Sequence, residues 1–120
     1  MNPGDIVHIE FPSADADRAQ RFWSGLFGWN FEDSGMTEMD YRIARTSEQM
    51  GAAVFPSEKA AGHPNYYFAS ADIDASVAKV RELGGESEGK QPIPKIGWFT
   101  RCKDSEGNAF HLFQADSAAE

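Results

Sequence analysis

A histidine and a glutamate two residues apart are the first candidates for chemistry in this chain. His8 and Glu10 lie in the segment IVHIEF, residues 6–11, whose apolar and polar positions alternate as in a β-strand. Because strand side chains alternate, His8 and Glu10 point to one side of the strand. An imidazole beside a carboxylate can transfer protons, bind a polar ligand or contribute to a metal site. Glu10 is therefore the candidate catalytic residue, as a general base, and the alternative is a carboxylate paired with His8, His111 or Arg45.

The chain contains the same pattern twice, at an offset of 68 − 11 = 57 residues. The positions that recur are Phe11, Ser13, Ala14, Asp15 and Asp17, which return as Phe68, Ser70, Ala71, Asp72 and Asp74. A fixed period of this length is typical of one supersecondary unit used twice. The offset makes Asn65 the counterpart of His8 and Tyr67 the counterpart of Glu10. We therefore expect Tyr67 to face the same cavity as Glu10, where its hydroxyl suits a polar ligand.

Each copy predicts a strand, a helix and three further strands. In the first copy, Asp15 is the expected helix N-cap and Gly28 the expected stop. The predicted apolar face of that helix comprises Ala19, Phe22, Trp23, Leu26 and Phe27. The predicted strands are residues 6–11, 29–33, 41–45 and 51–55, then 65–68, a weak strand within 86–94, 98–102 and 109–113. The last five residues are expected to fray.

These elements predict an α+β fold in one domain, residues 1–120. Two βαβββ repeats, residues 5–55 and 65–115, would be joined by a linker at 56–64. We expect them to form a curved, barrel-like mixed sheet with the helices on its outer face. Alternate strand residues would then line the interior, with Tyr41 and Phe113 as further lining candidates.

Composition narrows the classes of partner. The formal net charge of −8 argues against nucleic-acid binding, because a phosphate backbone would be repelled. No apolar run or basic amphipathic stretch indicates a membrane. The single cysteine, Cys102, cannot form an intrachain disulfide and is interpreted as a buried apolar residue, which suits a cytoplasmic protein.

Three stretches of the chain resemble the vicinal oxygen chelate superfamily, which includes glyoxalase I, bleomycin-resistance proteins and extradiol dioxygenases. They are HIEF at 8–11 followed by Asp15, FWSGLFGW at 22–29, and GWF at 97–99 leading to DSEGNAFHL at 104–112. The resemblance spans nearly the whole chain and implies the duplicated fold described above. It leaves the activity open, because this fold hosts lyases, dioxygenases, epimerases, thiol transferases and binding proteins.

The resemblance also implies where a metal would be bound. Metal-dependent members place ligands on the first and last strands of each copy, which correspond here to His8, Ala53, Asn65 and His111. Alanine cannot ligate, and neutral asparagine suits hard, calcium-like ions. Of these four positions, only His8 and His111 suit a catalytic transition metal, fewer than the three protein ligands of a typical catalytic site, and Glu10 on the same side of its strand as His8 is the candidate third ligand. The sequence therefore firmly implies no cofactor. A divalent metal is the one cofactor that the resemblance leaves to be tested.

The leading interpretation is a small-molecule-binding protein without a complete catalytic metal site. It would bind or sequester a compact organic molecule through polar contacts and aromatic walls. Its ligand-binding residues would be His8, Glu10, Tyr41, Asn65, Tyr67, His111 and Phe113. The alternative is a divalent-metal-dependent lyase or dioxygenase that uses His8, His111 and Glu10, and a third is an accessory module for dimerisation or partner binding. The resemblance further implies a homodimer.

Overall fold

The chain divides into two units, each built around one copy of the repeat. The computed structural model describes residues 2–57 and 63–120. One unit comprises Val7–Asn65, and the other comprises Met1–Ile6 with Tyr66–Glu120. The predicted α+β class, with a strand, a helix and further strands in each repeat, is confirmed. Residues 58–62, the larger part of the predicted linker, lie outside the described residues.

The first unit contains one helix and a four-stranded sheet. Its elements are β1 (Ile6–Ser13), α1 (Ala16–Phe27), β2 (Glu32–Asp33), β3 (Arg42–Arg45) and β4 (Gly51–Pro56). The strand order is β2-β3-β4-β1, with β1 parallel to β4 and the other neighbours antiparallel. The strand predicted at 29–33 is reduced to its last two residues. Trp29 instead stacks on Trp23 of α1, with ring centroids 5.4 Å apart.

Local capping signals set the ends of α1. The Asp15 carboxylate accepts a hydrogen bond from the Arg18 backbone N–H at 3.1 Å, which satisfies an amide that the helix itself cannot pair. Gly28 adopts a left-handed conformation with φ 73°, and its N–H donates to the Ser24 carbonyl at 2.8 Å. Both helix boundaries therefore follow from the residue types, as the sequence predicts.

The second unit repeats this plan with one additional short strand. Its elements are β5 (Asn65–Ala69, whose first residue, Asn65, belongs to the first unit), α2 (Ile73–Glu82), β6 (Glu86–Ser87), β7 (Gln91–Ile93), β8 (Gly97–Lys103) and β9 (Ala109–Ala115). The order β5-β9-β8-β6 matches the order in the first unit, and β5 is parallel to β9. The weak strand expected within 86–94 is in fact β6 and β7, which both pair with β8.

Each unit buries an apolar cluster that includes residues of its helix. In the first unit the buried residues are Phe31, Ala44 and Val54, with Phe11 and Trp23 among those packed against them. In the second unit they are Ile73, Val77, Cys102 and Leu112. Burial raises the pKa of the Cys102 thiol, which fits the apolar role expected for this residue. Among the described residues, no helix is both long and apolar enough to cross a bilayer.

The apolar face predicted for α1 is wrong for three of its five residues. Ala19 and Trp23 are partly buried and pack on the core, whereas Phe22, Leu26 and Phe27 are 60%, 57% and 58% exposed. The stripe that meets the sheet runs through positions 16, 19 and 23, so it is narrower than the full set of apolar positions. Apolar residue type alone does not show which side of a wide stripe is covered.

The prediction that the C-terminal residues fray is also wrong. The Asp116 carboxylate accepts a hydrogen bond from the Trp98 indole Nε1–H at 2.9 Å. The Ala119 carbonyl accepts one from the Lys95 N–H at 2.8 Å, and Ala119 is 2% exposed. These contacts hold the tail against β8 and the turn that precedes it.

Candidate functional site

Strand β1 presents His8 and Glu10 on the face of the first unit's sheet that lies opposite α1. Phe11 stacks on Trp23 of α1 with ring centroids 4.6 Å apart, so the alternate positions 8 and 10 face the other way. In the strand register, His8 lies opposite Gly51 and Glu10 lies opposite Ala53. Paired residues share a face, so the two polar side chains have small neighbours on β4.

Four of the predicted site residues form one hydrogen-bonded network in this unit. The Tyr41 hydroxyl donates to Glu10 Oε2 at 2.6 Å and lies 2.7 Å from His8 Nε2. The Asn65 amide Nδ2 donates to Glu10 Oε1 at 2.8 Å. Both carboxylate oxygens are therefore hydrogen-bonded, and Tyr41 joins the carboxyl group to the imidazole. We name His8, Glu10, Tyr41 and Asn65 the first-unit network.

The partners of Glu10 differ from those that the sequence suggested. Arg45 was one expected partner, but its guanidinium Nη1 donates to the Glu48 carbonyl at 2.7 Å. Tyr41 and Asn65 hold the carboxylate with neutral donors instead. Glu10 is 8% exposed, and such deep burial of a carboxylate requires hydrogen bonds of this kind.

Burial also sets the charge of His8. It lowers the pKa of His8 below its ordinary value of 6.5, because the charged imidazolium loses hydration, and the negative charge of Glu10 only partly opposes this effect. Burial therefore favours the neutral form of His8. A neutral imidazole carries one N–H donor and one nitrogen lone pair, so it can donate one hydrogen bond and accept another.

Aromatic rings flank the network. The Tyr41 ring stacks with His8 at a centroid distance of 6.2 Å and with Phe55 at 5.8 Å. Phe55 was not among the predicted site residues. A signal for it was present, because Phe55 lies 58 residues before Phe113, the same offset that relates Ala53 to His111.

The remaining predicted site residues lie in the second unit. Tyr67 and His111 are opposite each other in the β5–β9 register, and their rings stack with centroids 4.5 Å apart. The equivalent pair in the first unit is Glu10 and Ala53, so the register matches the repeat relation derived from the sequence. Phe113 lies two residues further along β9, and its ring approaches Gly97 of β8. His111 is buried, and Tyr67 and Phe113 are partly buried.

The donor groups of the first-unit network do not fit a catalytic divalent metal. Both oxygens of Glu10 and the Nε2 atom of His8 already take part in hydrogen bonds. Catalytic zinc sites use three protein ligands, and no group of three His, Cys, Asp or Glu side chains in residues 2–57 and 63–120 is arranged to hold a metal ion. We therefore derive no chemical step through a metal.

One protein-family model matches nearly the whole chain. A family model described as a glyoxalase-like domain matches residues 7–113. A Mycobacterium tuberculosis protein named "Putative glyoxylase CFP32" is 31% identical over 118 residues, which cover 90% of this chain. The chain spans only 44% of the length of that relative. A Didymella fabae protein named "Glyoxylase-like domain-containing protein" is 28% identical over 115 residues, covering 88% of this chain and 89% of that protein.

Solved structures share the fold at low sequence identity. The hypothetical protein BH1468 from Bacillus halodurans matches with a TM-score of 0.74 at 13% identity, covering 99% of both chains. A methylmalonyl-CoA epimerase in complex with methylmalonyl-CoA and NH4+ matches with a TM-score of 0.67 at 19% identity, also over 99% of both chains. A glyoxalase/bleomycin resistance protein/dioxygenase superfamily member from Vibrio splendidus matches with a TM-score of 0.64 at 17% identity, covering 92% of this chain and 98% of that one. At these identities the likeness shows the fold alone.

Proposed function

This chain belongs to the glyoxalase-like family of the vicinal oxygen chelate superfamily, and from that premise we propose that it binds a compact organic molecule at the first-unit network. The observation that carries the proposal is the buried carboxylate of Glu10, held by Tyr41 and Asn65 on the sheet face opposite α1. A few polar groups beside aromatic walls are the usual composition of a small-molecule site. Phe55 and Tyr41 supply such a wall.

Tyr67, His111 and Phe113 remain proposed ligand-binding residues on the strength of the repeat and the family resemblance. Tyr67 and His111 occupy the register positions equivalent to Glu10 and Ala53, and their stacked rings carry polar atoms that suit a ligand. We propose no resident metal for this function. A homodimer and a cytoplasmic location are also proposals, drawn from the resemblance and from the composition.

The second candidate is a divalent-metal-dependent lyase or dioxygenase that uses His8, His111 and Glu10. It has less support, because a metal would compete with the hydrogen bonds that already engage Glu10 and His8 Nε2. Elemental analysis of protein purified without chelator separates the two candidates. One tightly bound equivalent of metal that is lost in His8→Ala would favour the metalloenzyme.

The proposed binding function is tested by screening a fragment library with NMR of the labelled protein. We expect ligands to change the NMR chemical shifts of the backbone amides of His8, Gly51 and Ala53. These residues lie on the same sheet face as the network. Glu10→Gln should weaken binding about tenfold or more. One end of the new amide is a donor facing the Tyr41 hydroxyl or the Asn65 amide, so the network must rearrange.

The matched control for this variant is Glu32→Gln on β2, the same substitution at an exposed position of the same sheet. Ligand affinity should be unchanged in this control. Fragments that shift only residues distant from β1 and β4, or that bind Glu10→Gln as tightly as the wild type, would overturn the proposed site.

A further inference from the structure

Arg45 of β3 lies on the same sheet face as the first-unit network. Its neighbour Ala44 is 1% exposed and belongs to the core cluster that packs on α1, so strand alternation turns Arg45 to the opposite face. The register aligns Arg45 with Gly51 and Gly51 with His8. A Cβ built at Gly51 would lie 3.1 Å from His8 Nδ1, which confirms that this row of residues faces the network.

The strand between Arg45 and the network carries small residues on this face. The β4 residues paired with His8 and Glu10 are Gly51 and Ala53, so no large side chain stands between β1 and β3 in these two rows. Neighbouring strands are about 4.8 Å apart, which puts the Cα atoms of Arg45 and His8 about 10 Å apart. A compact molecule can therefore reach both Arg45 and the network.

Arg45 carries a positive charge without a carboxylate partner in the part of the chain that the structure describes. Its Nη1 donates to the Glu48 main-chain carbonyl at 2.7 Å, and no Asp or Glu oxygen of residues 2–57 and 63–120 lies within 4 Å of the guanidinium. A guanidinium has five N–H donors, so the hydrogen bond to Glu48 leaves most of them available. The side chain is exposed, and its one anchor holds it at the edge of the sheet face.

The other arginines of the first unit are directed elsewhere. Arg42 pairs with Asp17 of α1 at 2.8 Å, and Arg18 and Arg21 belong to α1 itself, on the opposite side of the sheet. Among the arginines that the structure describes in this unit, Arg45 is thus the one on the network face.

We infer that Arg45 is a specificity-determining residue, and that the ligand of the first-unit network is a compact carboxylate whose other end donates a hydrogen bond to Glu10. This inference rests on the proposed binding function and names the class of ligand. The planar fork of a guanidinium matches the two oxygens of a carboxylate. Glu10 accepts one hydrogen bond at each oxygen, and an ionised carboxylate has about four lone-pair sites, so it can accept another.

The carboxylates on this face limit the charge of the ligand. The register places Glu10 and Glu32 on the face, with Cα atoms about 12 Å and about 8 Å from that of Arg45. A ligand anion in contact with Arg45, at about 4 Å, is attracted more strongly than either carboxylate repels it, and solvent screens exposed Glu32. The second charge of a phosphate dianion would add repulsion without a second cation, which favours a single carboxylate.

NMR titration of two probes of the same shape at pH 7 tests the ligand class. 4-Hydroxybenzoate has an ionised carboxylate and a hydroxyl donor at opposite ends of a flat ring, and methyl 4-hydroxybenzoate keeps the ring and the hydroxyl without the charge. We expect the acid to change the chemical shifts of the Glu10 and Gly51 amides and to bind about tenfold or more tightly than the ester. Equal or tighter binding of the ester, or no binding of the acid, overturns the assigned class.

Variants of Arg45 test its role in this preference. Arg45→Gln removes the charge at an exposed position, so it should fold normally and bind the acid and the ester equally. Arg45→Lys keeps the charge without the fork and should retain part of the preference. Arg21→Gln, at an exposed arginine of α1, is the matched control and should leave both affinities unchanged. A preference for the acid that persists in Arg45→Gln, or that is lost equally in Arg21→Gln, overturns the role of Arg45.

Failure of the proposed binding function would give a different result. A fragment library would then have no hit at the network in the wild-type protein, and this inference would fall with the binding function. Failure of the inference alone leaves fragments that bind at the network with equal affinity in the wild type and Arg45→Gln, whether or not they carry a carboxylate.

Discussion

At the residue scale, Gly97 shows how one missing side chain shapes the second unit. A Cβ built at Gly97 would lie 2.2 Å from the Gln114 carbonyl oxygen and 2.9 Å from the ring of Phe113. The backbone oxygen belongs to the paired strand β9 and cannot move aside without disrupting the sheet. Glycine at this position therefore allows Phe113 to pack directly against β8.

Gly97→Ala should consequently destabilise the protein by about 3 kcal/mol or more, because the added methyl group overlaps backbone. Gly25→Ala is the matched control, since an added Cβ there meets nothing within 4 Å. Gly25 lies in α1, where alanine should stabilise by about 0.5–1 kcal/mol. Denaturant unfolding of both variants checks the opposite signs. Equal stability of Gly97→Ala and the wild type would show that the two strands lie further apart than described.

The site was predictable from the sequence where alternation along one strand decides it. His8 and Glu10 share a face because they are two residues apart in β1. The partners of Glu10 were not predictable, because Tyr41 and Asn65 are 31 and 55 residues away in the chain. Which distant side chains reach a carboxylate depends on strand order and register, and residue types alone do not determine those.

At the scale of elements, features set by neighbouring residues in the chain were predictable from the sequence, and features set by tertiary packing were not. The caps of α1 were predictable because Asp15 and Gly28 act on their own helix ends. The exposed side of α1 was not predictable, since Phe22 and Trp23 are equally apolar and only packing separates them. The sequence predicted β6 and β7 only as one weak strand for the same reason, because pairing with β8 defines them.

The cap at Asp15 gives the fold a dependence on pH in the acid range. The hydrogen bond from the Arg18 backbone N–H is the main reason that the pKa of Asp15 lies below its ordinary value of 3.8. The unfolded chain therefore binds this proton more readily than the folded protein does. The stabilisation that the ionised Asp15 cap gives is complete above about pH 3.8. It is lost as the pH falls through the lower pKa that Asp15 has in the folded protein.

Asp15→Asn separates the cap from the charge, because asparagine caps helices about as well as aspartate but does not titrate in this range. We expect the wild type to lose thermal stability relative to Asp15→Asn as the pH falls below about 3.8. Asp15→Ala should be less stable than both at neutral pH. Circular dichroism during thermal unfolding at a series of pH values provides the measurement. Parallel curves for the wild type and Asp15→Asn would contradict the role assigned to this carboxylate.

At the scale of the whole molecule, the net charge bears on the homodimer expected from the family resemblance. Each chain carries a formal charge of −8, so two chains together carry 2 × −8 = −16. Repulsion between like charges opposes association, and salt screens it over about 10 Å at 0.1 M. A homodimer of this chain should therefore be favoured by higher ionic strength.

Light scattering coupled to size-exclusion chromatography can measure this dependence directly. A monomer has a mass of 13.2 kDa, and a dimer would have 2 × 13.2 = 26.4 kDa. We expect the weight-average mass to rise toward the dimer value as protein concentration and salt increase, because screening removes part of the repulsion while apolar association is retained. A control series with added sucrose at constant ionic strength separates charge screening from preferential exclusion of the solute. A mass that stays at the monomer value at high concentration and high salt would remove the homodimer, and the binding site proposed within a single chain would stand without it.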